Sequence, residues 1–511
     1  MLGYWYQFLL RTEIRGANKI LNRDKLENYL PIIIVLLIFF MLWLLLFLSP
    51  WKYLARVSEE RWWMYITLNY KRYGLLTPVG PYGHLVHFSP LYSWANYSMI
   101  SITGWAEAGR IVSLFFGAGT LLLMYNISKG WYDQRTGTLA MFFLAVSPLF
   151  LQGSVHIKRA TTMLFFSVLS ILFLMKYLKN ERNRYLLATG IAVFLSAFSK
   201  EVGIFTFFVV GGYLLYKKRF KILRNPMVYV AALIPVLLMF SWYLHIESIP
   251  TSVAPAPPAG QISDRIFFNL DAPLFRVLSE TAVELAVAIP IATLGLALVG
   301  VGQWKEKDRL ILFWLLAGVL FYLVFLQGSF HHTHYSTFML PPLAIFSARG
   351  TITLSKKLSS LLKIGENLAP LTVVLIVLLL TAGGFGFLYF SLLRPNEAYE
   401  KEIRLIGSYV EKNAGEKGLI AIDVWPVYYH AFPIDINRIK TIHSPYPETI
   451  DNLSERPKII VLNVKPHPDL GWMGRTNTVA SESEVGEILS MDNYQMSKAL
   501  TYFYVITSGE I

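Results

Sequence analysis

Long apolar runs separated by short basic links are the feature that most constrains this chain. The first, Leu30 to Leu48, has the length needed to cross a hydrocarbon core, and no small-residue cleavage signature follows it, so it reads as a retained anchor. Further runs cover Ile111 to Ile127, Leu139 to Leu151, Met163 to Tyr177, Tyr185 to Phe198, Val202 to Tyr216, Val228 to Leu244, Ala282 to Val301, Leu310 to Leu326, Tyr335 to Phe346 and Leu371 to Leu392. Together they predict a polytopic α-helical membrane protein of about eleven spans. Composition agrees: 54% of the 511 residues are hydrophobic and 15% are charged, against about one quarter charged in a soluble domain.

The basic links give the chain a direction. Residues 1–29 mix aromatics with Arg11, Arg15, Lys19, Arg23 and Lys25, the pattern of a cytoplasmic interfacial helix. Threading the spans from an inside N-terminus puts Lys129 and Arg135, Lys179 to Arg184, Lys217 to Arg224, Lys305 to Arg309, and Arg349 with Lys356 and Lys357 on the cytoplasmic side of a plasma membrane. Topology thus accounts for most of the net charge of +13, so the expected surroundings are a lipid bilayer and not a nucleic acid. The absence of cysteine excludes disulfides, thiolate metal sites and a cysteine nucleophile. Residues 30–393 then form a membrane module whose first outer loop is 49–110, and the less apolar residues 394–511 form an extracytoplasmic α/β domain with strands near Gly418 to Trp425 and Lys458 to Val464. No internal repeat of the inverted-repeat transporter kind is visible.

The candidate chemistry gathers on the outer side. Glu59 and Glu60 follow the first span beside Trp62 and Trp63. A carboxylate near the lipid boundary is partly desolvated, which raises its pKa and suits it to take a proton from an acceptor hydroxyl. A helix-start acid pair near the N-terminal dipole explains the same residues, and spacing leaves both readings open. The loop continues through Tyr82, His84, His87 and Tyr92, with Arg110 at the entrance to the second span, and is expected to lie along the outer surface with most of its aromatics in an interfacial belt. Lys158 and Arg159 precede the span at Met163, and Lys200 with Glu201 sits between two runs joined almost without a loop. Such a cluster suits an anionic headgroup phosphate; snorkelling, or internal pairing of Lys200 with Glu201, suits it equally. His331, His332 and His334 lack a neighbouring carboxylate, so His334 and Tyr335 fit phosphate or sugar hydrogen bonding better than zinc. No cofactor is expected, although a divalent metal stays open, because no Asp-x-Asp accompanies the acids.

In order, these elements resemble a family. Glu59-Glu60 after the first span, His87-Phe88-Ser89-Pro90-Leu91-Tyr92, Glu107-Ala108-Gly109-Arg110-Ile111-Val112-Ser113, Ser147-Pro148 followed by Arg159-Ala160, Phe198-Ser199-Lys200-Glu201, and His334-Tyr335 with Met339-Leu340-Pro341-Pro342 resemble the GT-C glycosyltransferases. The similarity is greatest to protein O-mannosyltransferases and aminoarabinose lipid A transferases, and spans roughly Tyr29 to Gly350. It departs from the family at the usual Asp-Glu, at the Lys-Pro-Pro-like element, at the acid after Arg-Ala, where Thr161 and Thr162 stand, and at the Arg-Tyr that is His334-Tyr335 here. The resemblance implies a GT-C fold and an inverting transfer of sugar from a polyprenyl-phosphate donor to an acceptor hydroxyl of a protein, lipid or glycan. It implies Glu59 or Glu60 as base, Lys158, Arg159, Lys200, His334 and Tyr335 as phosphate ligands, and His84, His87, Tyr92 and Arg110 as donor or acceptor loop residues. A transporter, or a scaffold that keeps the fold without the chemistry, are the other readings.

Overall fold

The computed structural model describes residues 23–48, 58–80, 85–86, 89–105, 108–250, 289–326 and 333–363, scattered positions in 274–285 and 370–413, and, near the C-terminus, 420–422, 439–441, 450, 453, 456–463, 480–491, 494–500 and 503–508. Helices follow the apolar runs: α1 (Arg23–Leu48), α2 (Ser58–Tyr73), α3 (Leu91–Thr103), α4 (Gly109–Trp131), α5 (Gln134–Ala145), α6 (Pro148–Val155), α7 (Arg159–Asn180), α8 (Asn183–Ser199), α9 (Phe205–Lys218), α10 (Pro226–Glu247), α11 (Ile291–Gly302), α12 (Arg309–Val324) and α13 (Leu340–Leu362). Among the described residues four helices are long and apolar enough to cross a membrane, or five if α5 and α6 make one span; much of the expected run Leu371 to Leu392 and of the start of Ala282 to Val301 lies outside the described residues. Other described runs fold into shorter helices, such as the 14 residues of α9 and the 16 of α12, while α13 has 23 residues but carries Arg349, Lys356 and Lys357.

Local chemistry explains where the runs break. The run from Leu139 to Leu151 bends by 66° between α5 and α6, because Pro148 has no N–H to continue the ladder and drives Ser147 into extended backbone. At the α8–α9 junction the chain reverses through a single 3₁₀ turn, Glu201–Ile204. Gly203 allows that turn: a Cβ there would lie 2.4 Å from the Ser196 carbonyl carbon.

Small and hydroxylated residues hold the helices together. Gly300 of α11 faces Gly350 of α13 so closely that a Cβ on either would lie 1.9 Å from a carbonyl oxygen across the interface. Beneath the α8–α9 junction Ser167 shares hydrogen bonds with Ser196 at 2.7 Å and Thr206 at 2.9 Å, linking α7, α8 and α9. By contrast α10 exposes Leu233, Val236, Leu237, Phe240 and Leu244, an apolar surface suited to lipid.

The contacts sort the helix ends into two sets. The end of α7 meets that of α9 through a Glu181–Lys218 ion pair, and Asn225 before α10 donates to Asn183 of α8 at 2.9 Å. At the opposite ends of α7 and α9, Arg159 meets Glu201. A second polar knot joins α4, α12 and α13: buried Asp308 accepts from Tyr132 Oη at 2.6 Å and from the Lys305 amide at 2.6 Å, and pairs with Arg349.

The expected C-terminal sheet is present. Its strands are β1 (Ile420–Ile422), β2 (Ile439–Thr441), β3 (Ile459–Asn463), β4 (Tyr494–Ala499) and β5 (Phe503–Ser508), with α14 (Glu482–Ser490) before β4. The order is β2-β1-β3-β5-β4; β1 runs parallel to β2 and β3, while β5 is antiparallel to β3 and β4. Ile460, Leu462 and Ile506 are buried with Val485 and Ile488 of α14, so the segment carries a core of its own.

Candidate active site

The described part of the expected outer loop does not lie along a surface. Helices α2 and α3 fold against α4 and the start of α7, burying Trp63, Met64, Ile66, Tyr70, Tyr92 and Ile157 in one cluster. Trp63 and Tyr92 therefore leave the interfacial role expected for most loop aromatics: Trp63 is 3% exposed and Tyr92 is fully enclosed. Trp94 likewise packs edge-on to Phe198 and Trp242.

The sequence-derived candidates separate by this geometry. Arg159, in the first turn of α7, is buried, and its guanidinium carbon stands 3.7 Å from the centroid of the Trp63 ring. It donates from Nη1 to Glu201 Oε1 at 2.7 Å. The same oxygen accepts from the Ser89 backbone N–H at 2.9 Å, while the Ser89 hydroxyl donates to the Ala197 carbonyl at 2.8 Å. Burial pushes the Glu201 carboxyl up, but the Arg159 charge and the Ser89 amide outweigh it and hold the group below the usual glutamate range. The expected neighbour pairing of Lys200 with Glu201 is thus replaced by a pairing of Glu201 with Arg159.

Lys200 faces elsewhere. Its extended backbone (φ −156°, ψ 133°) turns its side chain away from that of Glu201, and its Nζ lies 5.4 Å from the centroid of the Tyr335 ring. Tyr335 stacks on Phe321 with centroids 5.5 Å apart. Lys200 and Tyr335 are both buried, at 3% and 4% exposure. Lys158 is also buried, in extended backbone just before α7. One neighbourhood therefore joins α2, Ser89 at the start of α3, the head of α7, the α8–α9 turn and the segment before α13.

Tyr92 and Arg110 make other contacts beside this neighbourhood, Tyr92 within the cluster that holds Trp63. The Tyr92 hydroxyl shares a 2.7 Å hydrogen bond with Ser113, and Arg110, 1% exposed, lies 5.7 Å from the Phe47 ring centroid. Both are built into the helix contact that holds the loop, which corrects their expected place on an open loop. Tyr82, His84, His87, His331 and His332 lie outside the described residues, as do the side chains of Glu59, Glu60, Trp62 and His334. The backbone at Glu59 and Glu60 belongs to the first turn of α2, four and three residues before Trp63, so helical register puts both positions on the face that carries Trp63, Ile66, Thr67 and Tyr70. Among the described residues no group of three His, Asp or Glu side chains is placed to hold a metal ion.

Sequence reasoning missed two residues with defined roles in the fold. Ser89 was a motif position only, and no local signal announces its bonds to Glu201 and Ala197. Asp308 was one charge among basic neighbours, although its 0% exposure makes it the centre of the α4–α12–α13 knot.

Residues 87–245 match the family model of dolichyl-phosphate-mannose-protein mannosyltransferases. No curated protein sequence gives a significant match. The fold is similar to that of ArnT from Cupriavidus metallidurans, both in the apo state and bound to undecaprenyl phosphate, with a TM-score of 0.64 and 11% identity over 93% of this chain and 97% of ArnT. It is also similar to the archaeal oligosaccharyltransferase AglB from Archaeoglobus fulgidus, solved with an inhibitory peptide and a dolichol-phosphate, with a TM-score of 0.52 and 13% identity over 86% of this chain and 70% of that one. The likeness of fold to ArnT covers 93% of this chain and so extends beyond the Tyr29 to Gly350 stretch.

Proposed function

We propose that the protein is an integral-membrane glycosyltransferase that moves a sugar from a polyprenyl-phosphate donor to an acceptor hydroxyl of a protein, lipid or glycan, with inversion, on the outer face of the cytoplasmic membrane. What supports the proposal most is that α2, which bears positions 59 and 60, packs through Trp63 on Arg159, whose partner Glu201 adjoins buried Lys200 beside Tyr335. The family match over residues 87–245 and the carriers bound by ArnT and AglB support the donor class.

In this reading Glu59 or Glu60 takes the acceptor hydroxyl proton as the oxygen attacks the anomeric carbon from the side opposite the phosphate. The bond from that carbon to the phosphate oxygen breaks, and the polyprenyl phosphate departs with the electron pair. A buried cation in a poorly hydrated pocket is suited to stabilise the charge gathering on that oxygen. Lys200 supplies it, with Tyr335, Lys158 and His334 as further phosphate partners; His84 and His87 are proposed to flank the donor or acceptor. The N-terminus lies on the cytoplasmic side, and the C-terminal α/β domain on the side of the site.

Purified protein in liposomes, given a panel of polyprenyl-phosphate sugars and hydroxyl acceptors, is expected to release polyprenyl phosphate and glycosylated acceptor. Solute flux without sugar release from any donor would replace this reading with a transporter.

A further inference from the structure

Arg159 was expected to bind phosphate, and its contacts support another reading. One face of its guanidinium is covered by Trp63 of α2 at 3.7 Å, and Nη1 is bonded to Glu201 at 2.7 Å. The Glu201 oxygen that holds Arg159 also holds the Ser89 amide, directly before α3. Four elements that are distant in sequence therefore meet at one carboxylate oxygen and one guanidinium: α2, the start of α3, the head of α7 and the α8–α9 turn. Trp63 is one turn past Glu59 and Glu60 on the same helix face, so whatever fixes Trp63 fixes the helix turn that presents the acids.

We propose that Arg159 and Glu201 are positioning residues, a clamp that sets α2 and the start of α3 against the site, and that Lys200 is left as the buried phosphate cation. Division of labour follows from backbone geometry. Extended backbone at Lys200 sends adjacent side chains to opposite sides, so Glu201 reaches Arg159 while Lys200 reaches Tyr335. A flat guanidinium is suited to this double duty, since it stacks on an indole and donates in its own plane at once; an ammonium does only the second. The alternative use of the same atoms is an anion site in which Glu201 stands in for the donor phosphate on Arg159 and the Ser89 amide. The stacking of Trp63 and the link from Ser89 Oγ to Ala197 favour the clamp, because both tie the pair to scaffold on either side.

The clamp rests on the glycosyltransferase reading for its purpose but is tested without turnover. Hydrogen–deuterium exchange on the full-length protein in lipid nanodiscs would follow peptides covering residues 58–73, with residues 291–302 and 226–247 as internal references. Glu201→Gln and Arg159→Lys are expected to speed exchange in 58–73 by about tenfold and to leave the references unchanged, whereas Lys200→Ala leaves 58–73 at the wild-type rate. Unchanged exchange of 58–73 in both clamp variants, or equal acceleration of the reference segments, overturns the clamp. Donor titration separates the two uses of Glu201: the clamp predicts lower kcat at an unchanged donor KM for Glu201→Gln, while a lowered donor KM would show Glu201 to be a phosphate stand-in and overturn it. If the wild type turns over no polyprenyl-phosphate sugar, the glycosyltransferase reading fails while the exchange result still decides the clamp.

Discussion

Replacing Gly300 by alanine tests how the scaffold sets the site. A Cβ at Gly300 would lie 1.9 Å from the Phe346 carbonyl oxygen and 2.8 Å from its carbon, where ordinary contact begins at 3.4 Å. Backbone cannot swing aside as a side chain can, so α11 and α13 must part by about 1.5 Å at the crossing. A radial gap of about 0.5–1 Å forfeits a quarter to a half of each dispersion contact, and overpacking of this kind costs about 1–3 kcal/mol. No gain in hydrophobic burial offsets that loss between helices in lipid. The displacement also reaches the chemistry, because α13 follows directly on the Thr333–Met339 turn that carries Tyr335. A misplacement of about 1 Å is worth about 10²-fold in rate. Gly300→Ala is therefore expected to lower the thermal midpoint of the detergent-solubilised protein and to cut transfer by one to two orders of magnitude, about 10- to 100-fold. Gly295→Ala on the same helix meets no atom within 4 Å and is the control, neutral or slightly stabilising. Wild-type stability and turnover for Gly300→Ala would refute the close-crossing argument.

Other perturbations follow from named contacts. The depressed pKa of Glu201 contributes stability that is present above the ordinary glutamate value of 4.5 and is lost as pH falls below it through the native value. Wild type should therefore lose more thermal stability than Glu201→Gln over that acid range, and identical pH profiles would contradict the ion pair. Asp308→Asn leaves Arg349 without its buried partner and is expected to cost about 3–5 kcal/mol, read as a fall in thermal midpoint. Lys200→Ala should lower kcat and kcat/KM together, because the lysine is proposed to stabilise charge that develops on the departing phosphate; steady-state kinetics over a donor series would show it, and a raised donor KM at unchanged kcat would contradict that role.

Much of the scaffold was legible because hydrophobic length acts locally. The runs from Met163 to Tyr177 and Val228 to Leu244 became α7 and α10, whereas the run from Leu139 to Leu151, expected as one span, breaks at Pro148 between α5 and α6. The first outer loop was not legible: its aromatics fit an interfacial belt and a buried helix face equally, and only contact with Ile157 and the head of α7 distinguishes them. Charge pairing failed for a similar reason. Lys200 and Glu201 are neighbours in sequence, but extended backbone parts them and a residue 42 positions away takes the glutamate. Strand β4 was missed because polar residues interrupt its apolar pattern, as exposed Gln495 and half-buried Lys498 do. Hydropathy also does not register the 3₁₀ segments at Glu201–Ile204 and Thr333–Met339, which shift the starts of α9 and α13 from those of the apolar runs.

The central claim is that an acid on the first turn of α2 is the base of a sugar transfer. Glu59→Gln and Glu60→Gln, made separately and assayed in membranes with a polyprenyl-phosphate sugar that the wild type accepts, measure it directly. Adjacent helical positions point about 100° apart, so one carboxylate alone is set to take the acceptor proton. The account predicts unequal losses, with the base variant down by about 10²- to 10⁴-fold and the other far less affected. Full activity in both variants would contradict it.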